Sequence, residues 1–115
     1  MPGLSDPSAA AALAQRCGRT VFCTCGERGT LVADPSGGEP FNVPAYPVTG
    51  PIDAVGAGDS TSAAIACALA CGATQVEAAA FGNLVASITI QQLGTTGTAS
   101  PQQIRQRWQL VRGVR

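Results

Sequence analysis

The stretch Gly50-Pro-Ile-Asp53-Ala-Val-Gly56-Ala57-Gly58-Asp59-Ser60 has the residue types needed to handle a phosphoryl group. Glycines let backbone amides approach a ligand with no side chain in the way. The first amides of a helix have no internal acceptor and sit at the positive end of its dipole. A glycine-rich turn opening into a helix at Gly58 is therefore an anion site. A carboxylate at the same place, Asp59, would oppose simple phosphate binding. It suits phosphoryl transfer, where amides stabilise charge building on the phosphoryl group and the acid takes a proton from the attacking hydroxyl.

Spacing alone leaves a second reading open, in which Asp59 is a first-turn helix acid and the glycines make a tight connection. A dinucleotide fingerprint fits less well. Gly56-x-Gly58 lacks the third glycine, position 61 being Thr, and the run follows Pro-rich chain instead of a clean strand. The ATPase P-loop is absent, for the chain has no lysine.

The elements that must position this turn are legible in outline. Asp6-Pro7 predicts a helix start, with Asp6 as cap, and the alanine-rich run to Cys17 ends at Gly18. Thr20 to Cys25 predicts a strand, Gly26 to Gly29 a turn, and Thr30 to Ala33 a second strand. Asp34 to Gly38 is a loop before an extended piece from Phe41 to Ala45, a hairpin pattern. Pro44, Pro47 and Pro51 make the next stretch irregular. From Asp59 to Cys71 the chain predicts a buried helix, apolar nearly all round and ended by Gly72, which requires cover on several sides. Thr74-Gln-Val-Glu77 and Ser100-Pro-Gln-Gln103 are capping boxes, opening helices to about Gln91 and through Trp108 and Val111. Thr95 to Thr98 is a loop. The order is that of the end of an α/β layered domain, because two or three strands make a poor sheet alone.

Asp53-Ala-Val-Gly56-Ala57-Gly58-Asp59 resembles the Asp-Thr-x-Gly-Ala-Gly-Asp signature of the ribokinase-like (PfkB) carbohydrate kinases. The resemblance implies that Asp59 is the catalytic base and that Gly56, Ala57 and Gly58 form the anion hole. Asp53 corresponds to an acid that helps hold a monovalent cation such as K+, although the usual following Thr is Ala54 here. Val21 to Gly29 is similar to the family strand ending in Thr-x-Gly-x-x-Gly, placing Thr24, Gly26 and Gly29 against the nucleotide. Phe81-Gly-Asn83 resembles a Phe-Ala-Asn segment whose Asn lies near the adenine. Gly94 to Pro101 is similar to the loop closing over the base. The implied fold is the C-terminal part of a three-layer α/β/α domain. The implied activity is ATP-dependent phosphorylation of a sugar or nucleoside hydroxyl, with Mg2+. Plainer roles stand beside these: Thr24 as an ordinary strand residue, Gly26 and Gly29 as turn glycines, Asn83 as a helix-surface polar residue, Trp108 as packing, and Glu27 and Arg28 as a solvated turn.

Family members are considerably longer, and their sugar site comes from an N-terminal part that these 115 residues do not contain. Residues 1–115 are thus expected to be the ATP-binding and catalytic part, completed by a missing N-terminal half or by other copies in a homo-oligomer. An inactive nucleotide-binding remnant and a small interaction domain are the alternatives. Seven basic and seven acidic residues cancel, giving no electrostatic case for nucleic acid or an anionic membrane. The arginines gathered from Arg105 to Arg115 read as a solvated helix face. No signal peptide or spanning segment is recognisable, so a cytoplasmic location is expected. Five cysteines with no secretory signal favour reduced thiols. Cys23/Cys25 and Cys67/Cys71 each share a face. Without Cys-x-x-Cys spacing or histidine, they read as core thiols sooner than as a zinc site.

Overall fold

The computed structural model describes residues 6–48, 50–52, 57–92 and 99–112. Helix α1 spans Asp6–Cys17, strands β1, β2 and β3 span Val21–Thr24, Thr30–Ala33 and Phe41–Val43, and helices α2, α3 and α4 span Ala57–Ala70, Gln75–Thr89 and Pro101–Val111. The strands form one antiparallel sheet in the order β1-β2-β3. Strand alternation gives the sheet two faces. Ala33, Val21 and Cys23 meet Ala10 and Ala14 of α1. Val32, Val43 and Phe22 meet Ala79 and Ala80 of α3. The expected α/β/α layering is present, with α2 and α4 packed on α3.

Both capping boxes form as the sequence predicts. The Glu77 amide donates to the Thr74 hydroxyl at 3.1 Å, and the Thr74 amide donates to the Glu77 carboxylate at 2.8 Å. Ser100 and Gln103 repeat the arrangement. The amide bond from Thr74, then its hydroxyl, holds the Glu77 carboxyl below its ordinary range. At Gly72 the chain closes a Schellman motif. The Ala73 amide donates to Ala68 O and the Gly72 amide to Leu69 O, both at 3.0 Å.

Several expectations are corrected. Asp6 is the first helical residue, and its carboxylate pairs with Arg28. Arg28 is thus an ion-paired residue, not merely a solvated one. Helix α2 is not buried all round. Thr61, Ala64 and Ile65 face α3, whereas Ala63, Ala66, Cys67, Leu69 and Ala70 are exposed. Cys17, Cys67 and Cys71 are exposed and Cys23 and Cys25 half-buried, so the core reading fails for the first three. The reason is shared: among the described residues α2 packs chiefly on α3, and Cys67 and Cys71 lie off that stripe. The closeness of α2 to α3 depends on Gly82, where a Cβ would stand 2.8 Å from Ile65 Cγ1.

Gly29 is the most closely approached glycine among the described residues. Its φ is +100°, and a Cβ there would lie 2.1 Å from Val43 O and 2.8 Å from the Ala45 amide nitrogen. The backbone leaving β3 rests directly on this glycine. Gly72 has a similar φ of +91° but open space around it. Gly72→Ala should therefore cost only the backbone penalty, about 1–2 kcal/mol. Gly29→Ala must also displace the chain at Val43 and should cost at least about 3 kcal/mol. Chemical denaturation of both variants checks this, and equal losses would contradict it.

Candidate active site

A cavity of about 770 Å³ opens between the end of β1, the chain after β3, the first turn of α2 and the side of α3. This volume suits a small-molecule ligand. Thr24, Gly26 and Arg28 line one wall, and Ala45, Tyr46 and Pro47 another. Gly58 and Thr61 of α2 stand at one end, and Asn83, Ala86, Ser87 and Ile90 supply the α3 side. The structure therefore brings Thr24 and Gly26, Gly58, and Asn83, from three distant parts of the sequence, to a single space. The N-terminal turn of α2 reaches the cavity at Gly58, and a helix amino terminus carries the positive end of the helix dipole. Asp59 follows Gly58 in that turn and is exposed. Ala57 is the first residue of α2, while Gly56, Asp53 and the loop from Gly94 to Thr98 lie outside the described residues.

Asn83 is not a surface residue. It is 6% exposed and ties three elements together. Its side-chain carbonyl accepts from the Thr30 hydroxyl at 2.8 Å, and its amide nitrogen donates to Val43 O and Pro44 O, each at 3.0 Å. Its amide nitrogen and its side-chain oxygen are both engaged within the protein, and the residue lines the cavity from α3. Gly29 does not line the cavity; it backs the chain that does.

Sequence reasoning missed the wall after β3. The proline pattern of residues 44–51 shows only irregular chain. Two side chains of α4 hold it in place. The Arg107 guanidinium donates to Pro47 O at 2.5 Å and to the Ser87 hydroxyl at 3.0 Å. The Trp108 ring meets Tyr46 edge-on, with centroids 6.5 Å apart. Arg107 is thus an internal brace, whereas Arg105 and Arg112 are exposed as the solvated-face expectation has it. The signal that could have marked Arg107 is its spacing from Ile104 and Val111, the apolar stripe of α4.

At the mouth of the cavity Arg28 and Asp6 pair at 2.6 Å, with side chains 71% and 47% exposed. So open a pair contributes little stability. The Cys25 sulfur lies 3.7 Å from both Cys23 Sγ and Asp6 Oδ2. Burial first, then the Cys23 thiol and the Asp6 charge, push the Cys25 thiol up to about 11, with Arg28 opposing.

The described residues thus form an α/β/α layered arrangement with a cavity at one helix amino terminus and an acid in that helix's first turn. Residues 2–103 match the description pfkB family carbohydrate kinase, and the chain belongs to that family of kinases. It is 40% identical over 83 residues to the bifunctional protein HldE of Bradyrhizobium sp. (strain ORS 278), covering 71% of this chain and 16% of that protein. It is 39% identical over 88 residues to HldE of Rhodopseudomonas palustris (strain TIE-1), covering 76% and 17%. Ribokinase from Thermotoga maritima superposes with a TM-score of 0.82 at 25% identity, covering 92% of this chain and 35% of that one. Arabidopsis thaliana ribokinase, solved with ribose and ATP, gives 0.76 at 24% identity, covering 87% and 32%. The chain thus spans under a fifth of the curated relatives and about a third of these structures. No described helix is long and apolar enough to cross a membrane.

Two measurements test the site's construction. Asn83→Ala leaves the buried Thr30 hydroxyl and two carbonyls without this partner, and should lower unfolding free energy by about 2–4 kcal/mol in a urea titration. A loss below about 0.5 kcal/mol would refute the clamp. The raised Cys25 value means that the unfolded chain ionises first, near 9.0, and the folded chain near 11. Stability present below pH 9 should fall as pH rises toward 11. Cys25→Ser should flatten that fall, and an unchanged profile would contradict it.

Proposed function

We propose that the cavity binds ATP and that this chain is the nucleotide-binding and catalytic part of a kinase phosphorylating a sugar or nucleoside hydroxyl. The observation that carries the reading is that Gly58, in the first turn of α2, faces the same cavity as Thr24, Gly26 and Asn83. Tyr46, Ile52, Ala86 and Ile90 offer apolar surface for a base, while the α2 amino terminus offers amides for phosphate oxygens. The acceptor hydroxyl gives its proton to Asp59 as its oxygen bonds to the γ-phosphorus, and ADP departs with the electrons of the broken bond. The amides of Gly56, Ala57 and Gly58 stabilise the charge gathering on the transferred group. Mg2+, arriving with the nucleotide, would neutralise charge on its phosphates. Asp53, the acid assigned to K+ by resemblance, lies outside the described residues.

The acceptor is held by chain beyond these residues, from a preceding half or a second copy. In support, the relatives are several times longer, and among the described residues α2 leaves an apolar face uncovered. We take the location to be the cytoplasm. The same uncovered face favours a second reading, a domain whose role is association and which binds no nucleotide.

Isothermal titration with Mg-ATP separates the two, since only the first yields saturable heat. In the kinase completed by its acceptor half, Asp59→Asn should abolish transfer while leaving ATP affinity within about threefold, as expected when an interaction acts only in the transition state. Near-normal turnover of that variant would remove Asp59 as the base.

A further inference from the structure

Cys23 and Cys25 take no part in the chemistry above, yet they flank a cavity residue. Alternation along β1 turns Cys23 toward α1 and leaves Thr24, between the two cysteines, lining the cavity. In extended chain, residues two apart are separated by about 6.6 Å. Here the two sulfurs are 3.7 Å apart, because Cys25 has left the strand, with φ −120° and ψ 33°. Cys25 also closes the turn that carries Gly26 and Arg28. Its amide donates to Gly29 O at 2.7 Å, and its carbonyl accepts from the Arg28 amide at 3.2 Å. Cys23 is fixed in mid-strand opposite Leu31. Of the two, Cys25 is the one free to shift, and it shifts with the cavity wall.

We propose that Cys23 and Cys25 are a redox-active dithiol, closing to an intrachain disulfide by exchange with a low-molecular-weight disulfide such as oxidised glutathione, and that closure deforms the wall formed by residues 24–28. The Cys23 thiolate attacks one sulfur of the oxidant and expels one glutathione thiolate. The Cys25 sulfur then attacks Cys23 Sγ and expels the second. The two protein protons end on the two glutathiones, which carry away both electrons. Closure brings the sulfurs from 3.7 Å to about 2.05 Å. Cys25 must move toward Cys23, loosening its bonds to Gly29 and Arg28. A bridge that strains its backbone is a better oxidant and is readily reduced again, which makes the pair reversible.

Any effect on nucleotide rests on the function proposed above, but the bridge itself does not. Both cysteines lie between Arg19 and Arg28, so cleavage after arginine puts them in one peptide. The reduced full chain is treated with oxidised glutathione, alkylated and mapped by mass. The expected result is loss of two hydrogens from that peptide, while Cys17, Cys67 and Cys71 carry alkyl or single glutathionyl groups. Hydrogen exchange at the Cys25 and Arg28 amides should quicken in the bridged form. Cys25→Ser, or Cys23→Ser should the first not fold, should stop at a mixed disulfide with exchange unchanged. Two alkylatable thiols at a poise that modifies Cys67, or a bridge without altered exchange, would overturn the proposal. Calorimetry of the reduced chain reads ATP binding separately. If ATP binds, saturating Mg-ATP should slow bridging by the factor by which it depletes the free form. Unslowed bridging would sever the link to the cavity, and bridging without ATP heat would sink only the nucleotide reading.

Discussion

The backbone of Val43 to Ala45 is held between Gly29 on one side and the Asn83 amide on the other. Gly29 permits contact at a distance no Cβ would allow, and Asn83 draws the carbonyls of Val43 and Pro44 toward α3. The same Asn83 accepts from Thr30, the partner of Val43 across the sheet. One side chain therefore locks the register of β2 against β3 and the docking of α3 beneath them. Polar groups this deeply buried cost several kcal/mol when unpaired, so the arrangement is specific as well as stabilising. The cavity wall begins where the clamp ends, at Ala45.

From there the wall depends on α4. Arg107 reaches across Ser87 to Pro47 O, and Tyr46 rests edge-on to Trp108. An irregular segment with prolines cannot join the sheet ladder, so side chains from helices must hold it. The opposite wall is a short turn bounded by Cys25 and Gly29. The cavity thus lies between one wall braced by two helices and another held by a few hydrogen bonds. That asymmetry puts any adjustability on the Gly26–Arg28 side, where the two thiols sit.

Helix α2 serves two ends. Its first turn faces the cavity with Gly58, and its Thr61, Ala64 and Ile65 stripe fits the space left by Gly82. Its remaining apolar surface has no cover among the described residues. The chain belongs to the pfkB family of carbohydrate kinases and spans about a third of the ribokinases it matches.

Local chemistry made much of this legible from the sequence. Thr74-x-x-Glu77 and Ser100-x-x-Gln103 start their helices as the capping rule requires, and Gly18 and Gly72 end theirs, because these signals act within a few residues. The Gly-Ala-Gly-Asp turn made the family legible for the same reason. Burial was not legible. Cys67 and Cys71 are apolar enough for a core, but only the packing of α2 on α3 decides which stripe is covered. Asn83 reads as a polar residue on a helix until the fold brings Thr30, Val43 and Pro44 within reach of its amide. Arg107 reads as one charge in a basic run until α4 lands on α3. Such contacts join residues tens of positions apart. Their energies depend on distances that no local pattern encodes, and so the tertiary structure alone decides them.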